Sequence, residues 1–175
     1  DPGNLNEGVV SRVASVKLPD EQSYELGIFA DDEWTLSPKF TLQAGLRYSH
    51  YYRMGAGTEN VYAPGQMPSL NSVIRKNTYA PGEVMASYGG FEPRVTMKYS
   101  LAETATMKFG YNRQQQFFQL LSNNTTPLPT SRWKTADNFI KPQQSDFLSL
   151  GLFKTFNENV YEASIEAYYR DVRNT

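Results

Sequence analysis

The single histidine is the first residue whose chemistry could support catalysis, because an imidazole can act as a general base near neutral pH. His50 lies between Ser49 and Tyr51. A serine-hydrolase mechanism would need a nucleophile beside the ring and a carboxylate that orients it. Nothing in the sequence places either group there, so the sequence predicts no catalytic residue and a protein that is not an enzyme.

Three adjacent carboxylates, Asp31, Asp32 and Glu33, could suggest a cation site. Neighbours on a strand point to opposite faces, however, and no calcium-loop spacing follows them. The chain also has no cysteine, which excludes disulfides and thiolate metal sites. The sequence therefore predicts no metal site and no cofactor.

The best candidate for a ligand-binding group lies in the stretch SRWKTADNF, where Arg132, Trp133 and Lys134 stand among polar residues. A tryptophan beside a cation suits sugars, peptides or metal chelates, so these three residues are the predicted ligand contacts of a long loop. A tryptophan that only anchors its own loop is the favoured alternative.

Composition mainly excludes classes of protein. A net charge of -1, without a basic stripe interleaved with aromatics, gives no basis for a nucleic-acid partner. No uncharged apolar run approaches the ~20 residues of a membrane helix. The opening DPGNLNEG lacks the basic and apolar regions of a signal peptide, so we expect a mature chain or an internal piece.

These residues must be positioned by β-strands, because apolar and polar residues alternate along six runs. Phe40 and Leu42 share one face of the second run, whereas Thr41 and Gln43 share the other. The six predicted strands are 24–36, 40–52, 91–101, 105–118, 146–156 and 160–172. The stretch VVSRVASVK, before these runs, could form another strand.

Short and long connections alternate between the predicted strands. Short turns are predicted at Leu36–Phe40, Leu101–Ala105 and Phe156–Val160. Two long segments, about 53–90 and about 121–145, are rich in turn and loop residues. We therefore expect the short turns at one end of a single antiparallel sheet and both long loops at the other end.

Alternation alone fits either a soluble β-domain or an outer-membrane barrel, so other features must separate the two. Soluble strands average about 5–6 residues, whereas each of these runs exceeds ten. Short turns on one side, long loops on the other and aromatics near both strand ends favour a barrel. The predicted fold is all-β: an antiparallel up-and-down transmembrane β-barrel, here a partial barrel of about six or seven strands.

In such a barrel one face of each strand contacts outer-membrane lipid and the other faces the lumen. The predicted lipid-facing residues are Leu42, Leu46, Val95, Met97, Phe109, Leu150, Leu152, Ile165 and Ala167. The predicted membrane-interface aromatics are Trp34, Tyr48, Phe91, Tyr99, Tyr161 and Tyr169. The charged residues predicted to face the lumen are Arg47, Arg94, Lys98, Lys108, Glu162, Glu166 and Arg170.

One hairpin resembles a hairpin of the TonB-dependent outer-membrane receptors. In that family a strand ending in an Asp-Glu-Trp-like triplet turns and returns as a Gly-Leu-Arg-Tyr strand, as in GIFADDEWTLSPKFTLQAGLRYSHY. FEPRVTMKYSLAETATMKFGYNRQQQFFQLL resembles the next hairpin of the family. SNNTTPLPTSRW and YEASIEAYYRDVRN are similar to the continuation in receptors with a carboxypeptidase-regulatory-like N-terminal domain.

The resemblance implies a 22-stranded barrel, plugged by an N-terminal domain, in the outer membrane of a Gram-negative bacterium. Such a receptor imports a scarce ligand with energy relayed by TonB. Residues 1–175 would then be an internal segment of one barrel domain, whose partners are lipid, the plug domain, the remaining strands and TonB. A porin-like channel and a soluble long-stranded binding or adhesion module remain alternatives, and the sequence does not identify the ligand.

Overall fold

A computed structural model of the protein describes residues 20–121, 132–156 and 160–175. Ten strands and one turn of 3₁₀ helix, Leu70–Ser72, make up its regular structure. The strands are β1 (Gln22–Ser37), β2 (Phe40–Met54), β3 (Gly57–Tyr62), β4 (Val73–Tyr79), β5 (Val84–Ala102), β6 (Ala105–Gln116), β7 (Phe118–Leu121), β8 (Arg132–Thr135), β9 (Gln143–Phe156) and β10 (Tyr161–Arg173). Among the described residues, no helix is long and apolar enough to cross a membrane.

Six long strands form one antiparallel sheet in the order β1-β2-β5-β6-β9-β10. Directly paired residues lie on the same face of a sheet, so the register shows which side chains are neighbours. One row of partners crosses all six strands and is apolar throughout. It consists of Trp34, Leu42, Met97, Phe109, Leu150 and Ala167.

The predicted short turns lie at one end of this sheet, as the alternation of connections required. Only Pro38 and Lys39 separate β1 from β2, and only Glu103 and Thr104 separate β5 from β6. The third connection joins the neighbouring strands β9 and β10, and its residues 157–159 lie outside the described part of the chain. The predicted partial barrel is therefore confirmed as an unclosed sheet of six strands.

The two long connections contain strands that the sequence did not predict. β3 and β4 pair as a hairpin within the first connection, and β7 pairs with β8 within the second. The prediction of a loop up to Gly90 was wrong, because β5 already begins at Val84. Glycine, serine and alanine dominate this part of β5, so the strand carries no apolar-polar alternation there. The possible strand VVSRVASVK lies outside the described residues.

Two features leave sheet edges without a partner. β1 and β10 each pair on one side only, so the sheet of described strands is open at both edges. β5 and β6 pair only as far as Arg94 and Asn112, after which the ladder ends. The next residue of β5 towards the long connections is Pro93, and a proline has no backbone N–H with which to continue a ladder.

The small buried core lies at the end of the sheet that carries the long connections. It consists of Tyr51, Phe117 and Ala136, each 2% exposed, with Tyr88 packed against them. The rings of Tyr51 and Phe117 are stacked with centroids 5.0 Å apart. These residues come from β2 and from both sides of the β7–β8 hairpin, so the core fixes that hairpin to the sheet.

Candidate functional site

The nine residues predicted to face lipid share one face of the six-stranded sheet. Leu46, Met97, Leu150, Leu152, Ile165 and Ala167 are exposed, and Leu42, Val95 and Phe109 are half-buried. An open sheet exposes both of its faces, so accessibility alone does not separate lipid from water. What distinguishes this face is its continuous apolar surface across neighbouring strands, which an aqueous surface rarely presents.

Aromatic residues border this apolar band at both ends. Tyr48 of β2 pairs directly with Phe91 of β5, and their rings lie 5.1 Å apart. Nearer the short turns, Tyr99 packs against Phe40 at 6.4 Å. The remaining interface aromatics are Trp34 and Tyr161 at the turn end and Tyr169 at the loop end. Asp32, on the same face of β1, is exposed and lies two residues from Trp34.

The aromatic residues at each end of the apolar band form a belt. The two belts cross the rows of directly paired residues at an angle. The row of directly paired residues that contains Tyr169 reaches β2 at Ala44. Ala44 lies four residues before Tyr48, the belt residue of β2. Tyr161 likewise lies four residues nearer the turns than the row of Tyr99. Four residues are about 13 Å, and β2 is four spacings of about 4.8 Å from β10. The strands therefore tilt by roughly 35° from the perpendicular to the belts. A tilt of about 35–45° is the geometry of transmembrane barrels.

The opposite face is polar and forms the wall of a cleft of about 510 Å³. Arg47 donates to Glu25 at 3.3 Å and to Ser49 at 2.9 Å. Arg170 donates to Ser145 at 2.9 Å, and Arg94 also lines the cleft. Glutamines 43, 114, 115, 116 and 143 complete much of the lining. This wall can hydrogen-bond either a polar ligand or the surface of another domain.

An ionic cluster ties the start of β1 to the β7–β8 hairpin. Glu21 accepts hydrogen bonds from Arg53 at 3.0 Å and from Lys134 at 2.6 Å. Asp137 contacts the same two cations at 3.4 Å and 3.1 Å. The other Glu21 oxygen accepts from the backbone N–H and the hydroxyl of Thr135. All four charged side chains are at most 19% exposed, so the cluster is a structural contact between distant segments.

The cluster strongly favours charged carboxylates. Burial of Glu21 disfavours its charged form, but hydrogen bonds from Lys134 and Thr135 outweigh that effect. Together with the charge of Arg53, they lower the pKa of Glu21 from 4.5 to about 2. Burial likewise opposes ionisation of Asp137, yet backbone donors and Lys134 lower its pKa below the usual value.

We expect acid to loosen the β7–β8 hairpin at a pH well below neutral. Because the pKa of Glu21 is lower in the folded state, its contribution to stability is complete above about pH 4.5 and is lost as the pH falls towards about 2. Hydrogen exchange of the β8 amides, corrected for intrinsic rates, should show protection falling in this window. A Glu21→Gln variant should lose the part of that pH dependence due to Glu21 and keep the part due to Asp137. Unchanged wild-type protection across the window would contradict the expectation.

The second long connection folds over the lumen-facing side of the sheet. Tyr51 and Tyr88 are direct cross-strand partners on that side. The hydroxyl of Tyr51 donates to the carbonyl of Ala136 at 3.1 Å, and that of Tyr88 donates to Asp137 at 2.7 Å. Asn138 then reaches Glu59 of β3 at 2.8 Å, which links the two long connections. The polypeptide therefore narrows the loop end of the lumen.

The three predicted ligand contacts occupy different surroundings. Arg132 begins β8, and its side chain lies outside the described part of the structure. Trp133 is 65% exposed and touches Phe118 edge-on, with ring centroids 5.7 Å apart. Lys134 is held in the ionic cluster by two carboxylates. The cluster residues Glu21, Arg53 and Asp137 were not predicted, because no local spacing in the sequence relates them.

His50 forms a hydrogen-bonded chain on the apolar face, above the Tyr48 belt. The hydroxyl of Tyr48 lies 3.0 Å from Nδ1, and Nε2 lies 2.8 Å from the hydroxyl of Ser87. The sequence did not reveal Ser87 as a neighbour. The tautomer of the ring sets the direction of both contacts: when Tyr48 donates to Nδ1, Nε2 carries the proton and donates to Ser87. No carboxylate joins the chain among the described residues.

The three adjacent carboxylates do not converge. Asp32 caps the backbone N–H of Glu33 at 2.9 Å, while Asp31 and Glu33 lie on the lumen side. Within the described ranges no group of three or more His, Cys, Asp or Glu side chains could hold a metal ion.

Comparison with known families agrees with this geometry. The family model described as TonB dependent receptor-like, beta-barrel matches residues 2–175. No curated protein matches the chain. The match covers nearly the whole sequence, including all six strands of the open sheet and both long connections. The chain therefore belongs to the TonB-dependent receptor-like β-barrel family.

Proposed function

We propose that this chain forms part of the wall of an outer-membrane receptor that imports a scarce ligand through its lumen with energy relayed by TonB. The family is one of outer-membrane receptors and transporters of Gram-negative bacteria. The observation that carries the proposal is the apolar band between two oblique aromatic belts, with a polar, cleft-bearing wall on the other face. The nine apolar residues are then lipid-facing, and the six aromatics lie at the membrane interfaces.

The open edges support the proposal that the barrel continues beyond this chain. A strand within the hydrocarbon layer cannot leave its backbone N–H and C=O groups without partners, because no water is available to them. β1 and β10 are therefore expected to pair with further strands of the same receptor. On this proposal residues 1–175 are a segment of one barrel domain, and a plug domain fills the lumen and contacts TonB. Membership of the subgroup with a carboxypeptidase-regulatory-like domain stays a prediction.

The proposed ligand contacts belong to the β7–β8 hairpin, at the end of the sheet that carries the long connections. Trp133 and Phe118 offer exposed aromatic faces on one side of the β7–β8 hairpin. The hairpin is fixed by Lys134 and the buried Phe117, so these faces are held in place. Rigid aromatic surfaces bind sugar rings, peptides and planar chelates at low entropic cost. Arg132 remains part of the proposed contact set through its place at the start of β8.

We expect the long connections outside the cell and the short turns in the periplasm. The chain has no cysteine, so a single introduced thiol reports its own position, provided the rest of the receptor is also free of cysteine. Gln66→Cys lies between β3 and β4, and Glu103→Cys lies in the turn between β5 and β6. A membrane-impermeant maleimide should label Gln66→Cys on intact cells. Glu103→Cys should react only after the outer membrane is permeabilised, and the reverse pattern would refute the proposal.

A porin-like channel would satisfy the same labelling, so conductance must separate the two functions. A receptor whose lumen is filled should show no steady ion conductance in planar bilayers, whereas a porin leaves an aqueous channel. The measurement uses the whole receptor without added ligand. A steady open channel in the untreated protein would favour the porin-like alternative over the transporter.

A further inference from the structure

A second, smaller cavity lies between the two long connections, at the end of the sheet that carries them. Its volume is about 220 Å³. Glu59 and Tyr62 of β3 line one side, and Asn138 and Phe139 of the second long connection line another. Met85, near the start of β5, also contributes. Three segments that are distant in the sequence therefore meet around this space.

Glu59 carries a negative charge that no cation among the described residues balances. Its two carboxylate oxygens accept from the side-chain amide of Asn138 at 2.8 Å and 2.9 Å, and one also accepts from the Tyr79 hydroxyl at 3.3 Å. Arg75 lies on the same face of the β3–β4 hairpin, but the ion pairs within 4.0 Å include neither Arg75 nor Glu59. A carboxylate has about four acceptor sites, so Glu59 can still accept from a ligand.

The two cations beside the cavity are already matched by carboxylates. Arg53 and Lys134 line its wall. Each of them contacts both Glu21 and Asp137, so the four charges sum to zero. The Nε of Arg53 has no acceptor among the described residues, yet protein atoms enclose it and it does not open into the cavity. The charge left over at the cavity is that of Glu59, which favours a cationic ligand over an anionic one.

Aromatic rings lie beside this carboxylate. Tyr62 and Phe139 contact each other edge to face, with ring centroids 5.7 Å apart and an interplanar angle of 66°. Phe139 is 56% exposed, so much of its ring is open to a ligand. Ring faces attract cations, and a planar guanidinium group also stacks on them. A carboxylate next to two rings therefore suits a cationic group, which it can bind through charge, hydrogen bonds and stacking.

We infer that this cavity binds a guanidinium or ammonium group of the imported ligand, with Glu59 as its counter-charge and the rings of Tyr62 and Phe139 beside it. The inference rests on the proposed function, because it names the class of ligand that the receptor takes up. Lys134 lines the cavity, and its neighbour Trp133 points to the other face of β8. The cavity is therefore separate from the aromatic surface of Trp133 and Phe118.

Two probes that differ in charge test the inference on the whole receptor in lipid nanodiscs. Nα-acetyl-arginine methylamide carries a guanidinium group, whereas Nα-acetyl-citrulline methylamide has nearly the same shape and no charge. Saturation-transfer NMR measures weak binding of both probes. A hydrogen bond to a charged group contributes enough that we expect the arginine probe to bind about ten-fold more tightly than the citrulline probe, or better.

Matched variants show whether Glu59 supplies the counter-charge. Glu59→Gln keeps an acceptor for Asn138 but removes the charge, so it should weaken the arginine probe by about ten-fold and hardly change the citrulline probe. Glu83→Gln removes an exposed charge two residues from Met85 and should change neither affinity. Phe139→Ala should weaken the arginine probe by about two- to five-fold. Hydrogen exchange of the second long connection shows whether it keeps its place in each variant.

Equal affinity of the wild-type receptor for the two probes, or no detectable binding of either, overturns the inference. A preference for the arginine probe that survives Glu59→Gln overturns it as well. If Glu59→Gln loosens the second long connection, Phe139→Ala decides, and an unchanged affinity for the arginine probe in that variant is the contrary result. Surface labelling of Gln66→Cys and the bilayer conductance report on the proposed function independently. A receptor that passes both tests but lacks the preference would refute the ligand class alone.

Discussion

Replacing Met97 with arginine is expected to destabilise the whole receptor by about 2–4 kcal/mol, the cost of a cation near the bilayer midplane on the lipid face of a barrel. Met97 lies within the apolar row, between Leu42 and Phe109, and is 36% exposed. It stands two residues from Tyr99 of one belt and six from Phe91 of the other, so it lies between the two belts. An arginine there would carry its charge on the apolar face, on the opposite side of the strand from the water of the lumen.

The adjacent residue supplies the control. Lys98→Arg keeps a cation on the lumen face, so it should change the free energy of unfolding by far less. The two substitutions introduce the same side chain one position apart, and only the pleat of the strand separates their surroundings. Reversible unfolding of the receptor from bilayers measures both. Equal, small effects would show that the apolar face does not contact lipid, and would favour the soluble-module alternative.

Phe117→Ala should release the β7–β8 hairpin from the sheet, at an expected cost of about 3–5 kcal/mol in local stability. Phe117 is 2% exposed and stacks on Tyr51 with an interplanar angle of 3°. Its backbone carbonyl also accepts the N–H of Ala136 at 2.7 Å. The loss would leave a cavity in a core of very few residues, which has little capacity to collapse around it.

Phe118 is the matched control, because it is the same residue type one position later and is 49% exposed. Phe118→Ala removes only the edge contact with Trp133, so it should change hairpin stability by about 1 kcal/mol or less. Hydrogen exchange of the amides at Thr135 and Ala136 measures both variants. Similar loss of protection in the two variants would show that the stacked core does not hold the hairpin.

The sequence predicted the six long strands well, because one apolar face and one polar face impose a strict alternation along each strand. The predicted strand 40–52 is extended by only two residues in the structure. Alternation weakens above the belts, where both faces of a strand meet polar surroundings. The segment from Val84 to Gly90 therefore reads as loop, although it pairs with β2.

The site was less predictable, because it depends on which distant segments meet. Glu21 and Arg53 are 32 positions apart, and Arg53 and Asp137 are 84 apart. No periodicity links such residues, since their contact follows from the path of the second long connection across the sheet. Lys134 was identified from its neighbours as a ligand contact, whereas the path of the chain places it between two carboxylates.

The oblique course of the aromatic belts also sets the girth of the assembled wall. Strands spaced about 4.8 Å apart and tilted by roughly 35° each take up about 5.9 Å of circumference. The six strands of this sheet thus cover an arc of about 35 Å. A wall of about 22 such strands would be about 130 Å around and about 41 Å across. Six strands are then roughly a quarter of the ring, and the enclosed space is wide enough to hold a folded domain.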